Sequence, residues 1–322
     1  MTPSGSKARV DANLAAVRLS RRLEEEHRPA TTTDERRVLA GWSSWGAVPQ
    51  VFDRGRDEFG DQRAALEGLL TPAEFDAARR TTVNAHYTDP AIAGLMWEAL
   101  QRLGINDGQV LEPGSGSGTF LGLAPDAVQM TGVELDPVTA RIARALYPSA
   151  EVRTESFADS PFLAGHFDAA IGNVPFADVV LHDRRHNPGG HVMDDHFIVK
   201  SLNLVRPGGV AAFLTSSFTM DRTNPAARRE MHALADLVGA VRLPSGSHRR
   251  TAGTEVVTDL LLFRRREAGR APGEDSWTLT QPLKVDDHVI RVGGYFAEHR
   301  DQVLGRFSVG QGMYGAETVR VV

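Results

Sequence analysis

Asn173-Val174-Pro175-Phe176 closes the apolar run "FDAAIG" with a set of groups suited to one kind of chemistry. Asn173 carries a side-chain carbonyl and Val174 a backbone carbonyl, which makes two acceptors. Pro175 stiffens the turn, and Phe176 offers a flat apolar face. Two acceptors and a ring suit a planar substrate bearing an exocyclic NH₂. Two hydrogen bonds from that amino group draw it toward tetrahedral geometry and localise its lone pair for in-line attack on an electrophilic methyl. The proton becomes acidic only once the nitrogen is alkylated, so no strong base is required first, and orientation would supply most of the catalysis. Without neighbours, Asn-x-Pro-aromatic is commonly just a turn.

The neighbours sharpen it. "LEPGSGSGTF" sets Gly114, Gly116 and Gly118 directly after an apolar strand, where glycine permits positive φ and close approach of a ligand. Such a loop serves nicotinamide dehydrogenases as well. Glu134, in "GVELDP", falls 16 residues after Gly118, at the end of the next strand. A carboxylate there accepts both ribose hydroxyls of an adenosine, whether of NAD or of S-adenosylmethionine. Glu112 separates the two: beside the loop it repels a pyrophosphate but attracts the ammonium of a methionine moiety. No Walker lysine follows, which argues against a nucleoside triphosphatase. In "FADSPF", Asp159 and Phe162 fall where a third strand is expected to end. There an acid could bind an adenine amino group and a ring could pack on the base; the plainer readings are a loop acid and a core aromatic.

These residues need strands to present them. From Tyr87 onward, apolar runs alternate with helical patterns, which predicts a mostly parallel sheet with helices on both faces and a final antiparallel pair. That defines a domain over residues 81–266, preceded by a helical N-terminal extension (1–80) and followed by a linker and small C-terminal segment (267–322). Trp42 and Trp45 are expected to pack the extension onto the domain. The insert "DVVLHDRRHNPGGHVMDDH", with His182, Asp183, His186, His191, Asp194, Asp195 and His196, matches no standard metal spacing and is expected to be a solvated loop closing over substrate. Arg249 and Arg250, in "GSHRRTAGT", are candidates for phosphate contact or for supporting a bound base, while Arg264, Arg265 and Arg266 read as a solvated strand end.

Composition narrows the class. The chain has 322 residues, 41% hydrophobic and 24% charged, and contains no cysteine, which excludes thiolate metal sites and cysteine nucleophiles and fits a cytoplasmic setting. The N-terminal stretch lacks the apolar core of a signal peptide. No run approaches the roughly 20 apolar residues that span a bilayer. A formal charge of −5 argues against a wholly basic nucleic-acid coat but permits a local basic face.

"LEPGSGSGTF", "GVELDP", "FADSPF" and "GNVPF", in that order, resemble the successive motifs of S-adenosylmethionine-dependent amino-group DNA methyltransferases. "AHYTDP", with Tyr87 and Thr88, resembles the motif that precedes the glycine loop in the gamma arrangement. The chain is most similar to the methylase portion of phage- and plasmid-borne methylase–helicase fusions, through "GWSSWGAVPQVFD", "VNAHYTDP", "KSLNLVRPGGVAAFLTSSFTMD" and "RTAGTEVVTDLLLFRRR", over approximately residues 35–320. The resemblance implies a Rossmann-like class I methyltransferase sheet, mostly parallel, of seven strands with a terminal antiparallel strand. It implies S-adenosylmethionine held by Tyr87, Thr88, Glu112, Pro113, Gly114, Gly116, Gly118, Glu134, Leu135, Asp159, Phe162 and Asn173. It further implies N6-adenine methylation of a base flipped from double-stranded DNA, with Asn173, Val174, Pro175 and Phe176 as the catalytic tetrad. Arg249 and Arg250 would touch DNA, and a helicase or recognition subunit would act in cis or in trans. Two departures stand out: Val174 replaces the usual first proline of the tetrad, and Ala177 replaces an expected glycine. Methylation of a protein glutamine or of RNA, and a non-catalytic cofactor- or DNA-binding module, are the alternatives.

Overall fold

The structure, a computed structural model, describes residues 5–46, 48–80, 88–246, 257–311 and 317–322. Tyr87, Arg249 and Arg250 lie outside the described residues. The strands β1 (Gly108–Pro113), β2 (Val128–Glu134), β3 (Glu151–Thr154), β4 (Phe167–Asn173), β5 (Val205–Ser216), β6 (Ala235–Arg242) and β7 (Thr258–Arg265) form one sheet in the order β3-β2-β1-β4-β5-β7-β6. Strands β1 to β5 pair in parallel, and β7 enters antiparallel between β5 and β6.

The centre of the sheet is covered on both faces. Ala169, Ala170 and Ile171 of β4, and Val210 to Leu214 of β5, are all fully buried. Continuous apolar runs of this kind mark strands with helices on each side. On one face α5 (Pro90–Arg102) contributes Ala93, Met96, Trp97 and Leu100 to the core. On the other, α7 (Met193–Leu204) contributes Phe197, Ile198, Val199 and Leu202.

Helix α6 (Pro137–Leu146) is buried twice. Ala140 and Ala143 join the sheet core, while Val138, Ile142 and Ala145 join a second core made with the N-terminal helices. That core comprises α1 (Ser6–Glu25), α2 (Thr33–Leu39), α3 (Gly60–Leu69) and α4 (Pro72–Arg80). Trp42 and Trp45 lie within it, edge to face at 5.3 Å, with Phe52 and Phe75 extending the aromatic chain. Arg141 of α6 donates to Glu74 of α4 at 2.9 Å, and Arg21 of α1 reaches the same carboxylate at 2.5 Å.

Several expectations are corrected. The insert after the tetrad is only in part a solvated loop: His182, Arg184 and Arg185 are exposed, but Asp183, His186, His191, Asp194, Asp195 and His196 are buried. Several of its polar groups find partners in the fold. Lys200 of α7 donates to Asp183 at 3.1 Å, His196 pairs with the same carboxylate at 3.2 Å, and His191 meets Glu230 at 2.6 Å. Arg264, Arg265 and Arg266 are not a free solvated terminus either. Arg264 donates to the carbonyls of Gly208 and Leu103, Arg265 to that of Leu234, and Arg266 to Asp236. Within the segment from 267 onward, β8 (Thr280–Val285) pairs with β9 (His288–Gly293). Helix α8 (Gly294–Glu298) and the β10–β11 pair (Phe307–Gln311 and Glu317–Val321) follow, and Trp277, Phe296, Val303 and Val321 enter the main core. No described helix is long and apolar enough to cross a membrane.

Candidate active site

Strands β1, β2, β3 and β4 all deliver their C-terminal ends to one cavity of about 370 Å³. This is the edge where ligand sites of open α/β sheets collect. Thr88, Glu112, Gly114, Gly116, Glu134, Leu135 and the whole tetrad Asn173–Phe176 line it. Four expected residues do not: Pro113, Gly118, Asp159 and Phe162.

The glycine loop earns its composition in two different ways. Gly114 (φ 74°) and Ser115 both donate their N–H to the Val133 carbonyl at 2.9 Å, folding the loop back over β2. Gly116 (φ 54°) donates to Glu134 Oε2 at 2.8 Å, and the Asp136 N–H donates to Glu134 Oε1 at 2.8 Å. Loop and β2–α6 turn therefore hold the Glu134 carboxylate between them. Gly118 combines a left-handed φ of 91° with close packing: a Cβ there would fall 2.6 Å from the Tyr147 ring. Only a short 3₁₀ turn, Leu121–Leu123, follows the loop. The site thus lacks the α-helix N-terminus on which dinucleotide folds seat a pyrophosphate.

Two acids dominate the electrostatics. Glu112 is buried, its Oε2 has no hydrogen-bond partner among the described residues, and burial raises its pKa well above the usual carboxylate value, with the Glu134 charge adding to the rise. Burial likewise pushes Glu134 up to about 7, against the lowering effect of the Asp136, Gly116 and Leu135 N–H groups. Neighbouring Asp136 is also raised, by burial, while it caps α6 through Thr139. A pair of desolvated carboxylates is unfavourable unless a cation or hydroxyl donors join them.

The third strand ends at Thr154, several residues earlier than expected, so Glu155, Ser156 and Phe157 reach the cavity in place of Asp159 and Phe162. Phe162 instead packs edge to face on Phe167 at 5.1 Å, with Arg153 over its ring. Lys200 secures this β3–β4 connection, donating to the carbonyls of Ala158 (3.0 Å) and Ser160 (3.3 Å), while Phe157 packs on Phe197 at 4.9 Å. Val174 donates its N–H to the Leu214 carbonyl at 3.0 Å. A proline has no such hydrogen, so the valine ties the tetrad to β5 where a second proline would have stiffened it. Ser44, Arg80, Thr139, Leu181, Met193 and Phe197 also line the cavity without having been expected there. Glu155–Phe157 were findable from a correct strand end; Ser44 and Arg80 carry no local signal.

No family profile matches the chain. Its fold is that of the Rossmann-like class I methyltransferases. A Listeria monocytogenes protein provisionally assigned as a class I S-adenosylmethionine-dependent methyltransferase superposes with a TM-score of 0.50 at 14% identity, covering 83% of this chain and 90% of that one. The modification subunit of a type I restriction enzyme from Vibrio vulnificus gives a TM-score of 0.49 at 15% identity over 81% of this chain and 66% of that one. In sequence, the chain is 27% identical over 274 residues to the "Defense against restriction protein B" of Escherichia phage P1. That match covers 83% of this chain but only 11% of the phage protein, so the chain spans a small part of its relative's length.

Proposed function

We propose that the chain is an S-adenosylmethionine-dependent methyltransferase acting on the N6 amino group of adenine in DNA. The observation that carries the reading is the convergence of Glu112, Glu134 and Asn173-Val174-Pro175-Phe176 on one cavity at the C-terminal edge of a class I methyltransferase sheet. The donor set fits the cofactor: Glu112 has an unpartnered buried oxygen for an ammonium, and Glu134 is fixed by backbone N–H groups beside a glycine cradle. When bound, S-adenosylmethionine supplies an electrophilic methyl group.

The chain's own residues do the rest. Glu112 balances the ammonium, and Glu134 accepts the ribose hydroxyls. The Asn173 side-chain carbonyl and Val174 backbone carbonyl accept from the substrate amino group, aligning its lone pair with the methyl. Phe176 stacks on the base, which must leave the duplex to reach the cavity. The proton released after alkylation passes to solvent. The phage relative's name, referring to defence against restriction, supports DNA as the substrate, and its greater length supports further segments or partner subunits for target recognition.

Labelled S-adenosylmethionine offered with DNA, RNA or protein tests this. Label in DNA at adenine N6, abolished by Asn173→Ala, is expected. Label confined to RNA or to protein glutamine would replace the substrate, and cofactor binding without transfer to any of them would make the chain a binding module.

A further inference from the structure

The cavity has a wall that does not come from the sheet. Ser44, between α2 and α3, lines it while only 2% exposed. Its φ is 55°, the left-handed region that non-glycine residues avoid. Buried Asn13 of α1 imposes that geometry. Its Nδ2 donates to the Ser44 carbonyl at 2.6 Å, and its Oδ1 accepts from the Ser43 N–H at 2.9 Å and the Ser43 hydroxyl at 3.2 Å. Trp42 and Trp45, packed in the core shared with α6, brace the turn on either side. Strained residues held by a buried clamp at a cavity wall are characteristic of ligand sites. Ser44 presents the right group for one, since its hydroxyl makes no hydrogen bond among the described residues. Arg80, at the end of α4, reaches the same cavity, so the N-terminal helices touch it at two places.

We propose that Ser44 is a cofactor-positioning residue: the N-terminal helical extension builds one wall of the cofactor cavity, and the hydroxyl of Ser44, whose backbone Asn13 holds, hydrogen-bonds a polar group of the bound adenosine. Trp42 and Trp45, on either side of this turn, share a core with Val138 and Ile142 of α6, the helix that Asp136 caps. The inference rests on the cofactor assignment above. It makes the extension part of the catalytic unit, and not an appendage for target recognition.

Ser44→Gly and Ser44→Ala test it, with S-adenosylmethionine and S-adenosylhomocysteine titrated by calorimetry. Glycine adopts positive φ without strain, so Ser44→Gly is expected to keep or raise the melting temperature while weakening cofactor binding about fivefold to tenfold, one neutral hydrogen bond. Ser44→Ala keeps the strain and loses the hydroxyl, and is expected to weaken binding equally. In turnover both should raise KM for the cofactor with kcat retained. Both variants binding within twofold of wild type would overturn the proposal. A wild-type protein that binds neither compound would bring down the cofactor assignment, and this proposal with it.

Discussion

Replacing Glu112 by glutamine separates a ligand-binding role from a structural one. The carboxyl is buried beside Glu134, and one of its oxygens has no partner among the described residues. A structural acid in that position only costs stability, because burial and the Glu134 charge both oppose ionisation. Glutamine keeps the shape and removes the charge, so the unliganded Glu112→Gln protein should melt at the wild-type temperature or above. Cofactor binding should respond in the opposite sense. A hydrogen bond between charged groups contributes about 1.5–3 kcal/mol, which corresponds to a roughly ten- to hundredfold rise in Kd for S-adenosylmethionine. Ionisation of Glu112 must accompany binding of the ammonium, so wild-type affinity should strengthen as pH rises through the elevated Glu112 pKa, and the variant should show a shallower dependence. Calorimetry across pH, with differential scanning fluorimetry on the same samples, reads all three quantities. A variant that binds as tightly as wild type, or that unfolds several degrees lower, would refute the assignment.

Glu134, with its pKa raised from 4.5 to about 7, is more readily protonated in the folded than in the unfolded chain. Its contribution to stability should therefore be full below about pH 4.5 and be lost as pH rises through about 7; a melting-temperature profile of Glu134→Gln with the same slope as wild type there would contradict this. Gly118→Ala, whose Cβ would lie 2.6 Å from the Tyr147 ring, should destabilise far more than Gly114→Ala, whose nearest contact is 3.5 Å and whose penalty is the left-handed φ alone, about 1–2 kcal/mol. Urea titration ranks the two, and equal losses would count against the packing role given to Gly118. Val174→Pro removes the N–H bonded to Leu214 and should lower stability by about 1 kcal/mol on the same assay. Lys200→Met leaves Asp183 buried without its cation and should cost about 3 kcal/mol, whereas an unchanged urea midpoint would deny that the insert is anchored there.

The alternation of apolar runs and helical patterns was enough to anticipate the sheet and its antiparallel β7, because strands buried on both faces write themselves as continuous apolar runs. Glu112, Glu134 and Asn173 line the cavity because each follows such a run directly, so strand end and cavity wall coincide. Where a strand end was misjudged, the site residue moved with it: β3 stops at Thr154, which brings Ser156 and Phe157 to the cavity in place of Asp159 and Phe162. Polar residues misled in the insert for a different reason. Asp183 is buried with its partners His196 and Lys200, both on the following helix, and a polar composition alone reads as solvated. Arg264, Arg265 and Arg266 misled in the same way, since their backbone acceptors are distant in sequence, 31 to 161 residues away. Ser44 was out of reach altogether, because its geometry is set by Asn13, thirty-one residues away on another helix.

Methyl transfer into DNA by wild type and Asn173→Ala tests the central claim most directly. With labelled S-adenosylmethionine, double-stranded DNA and nucleoside analysis of the product, the account predicts N6-methyl-2′-deoxyadenosine formed by wild type. It predicts none above background from Asn173→Ala, whose cofactor affinity should remain within a few-fold of wild type. Equal label in both proteins, or label at any position other than the adenine amino group, would contradict it.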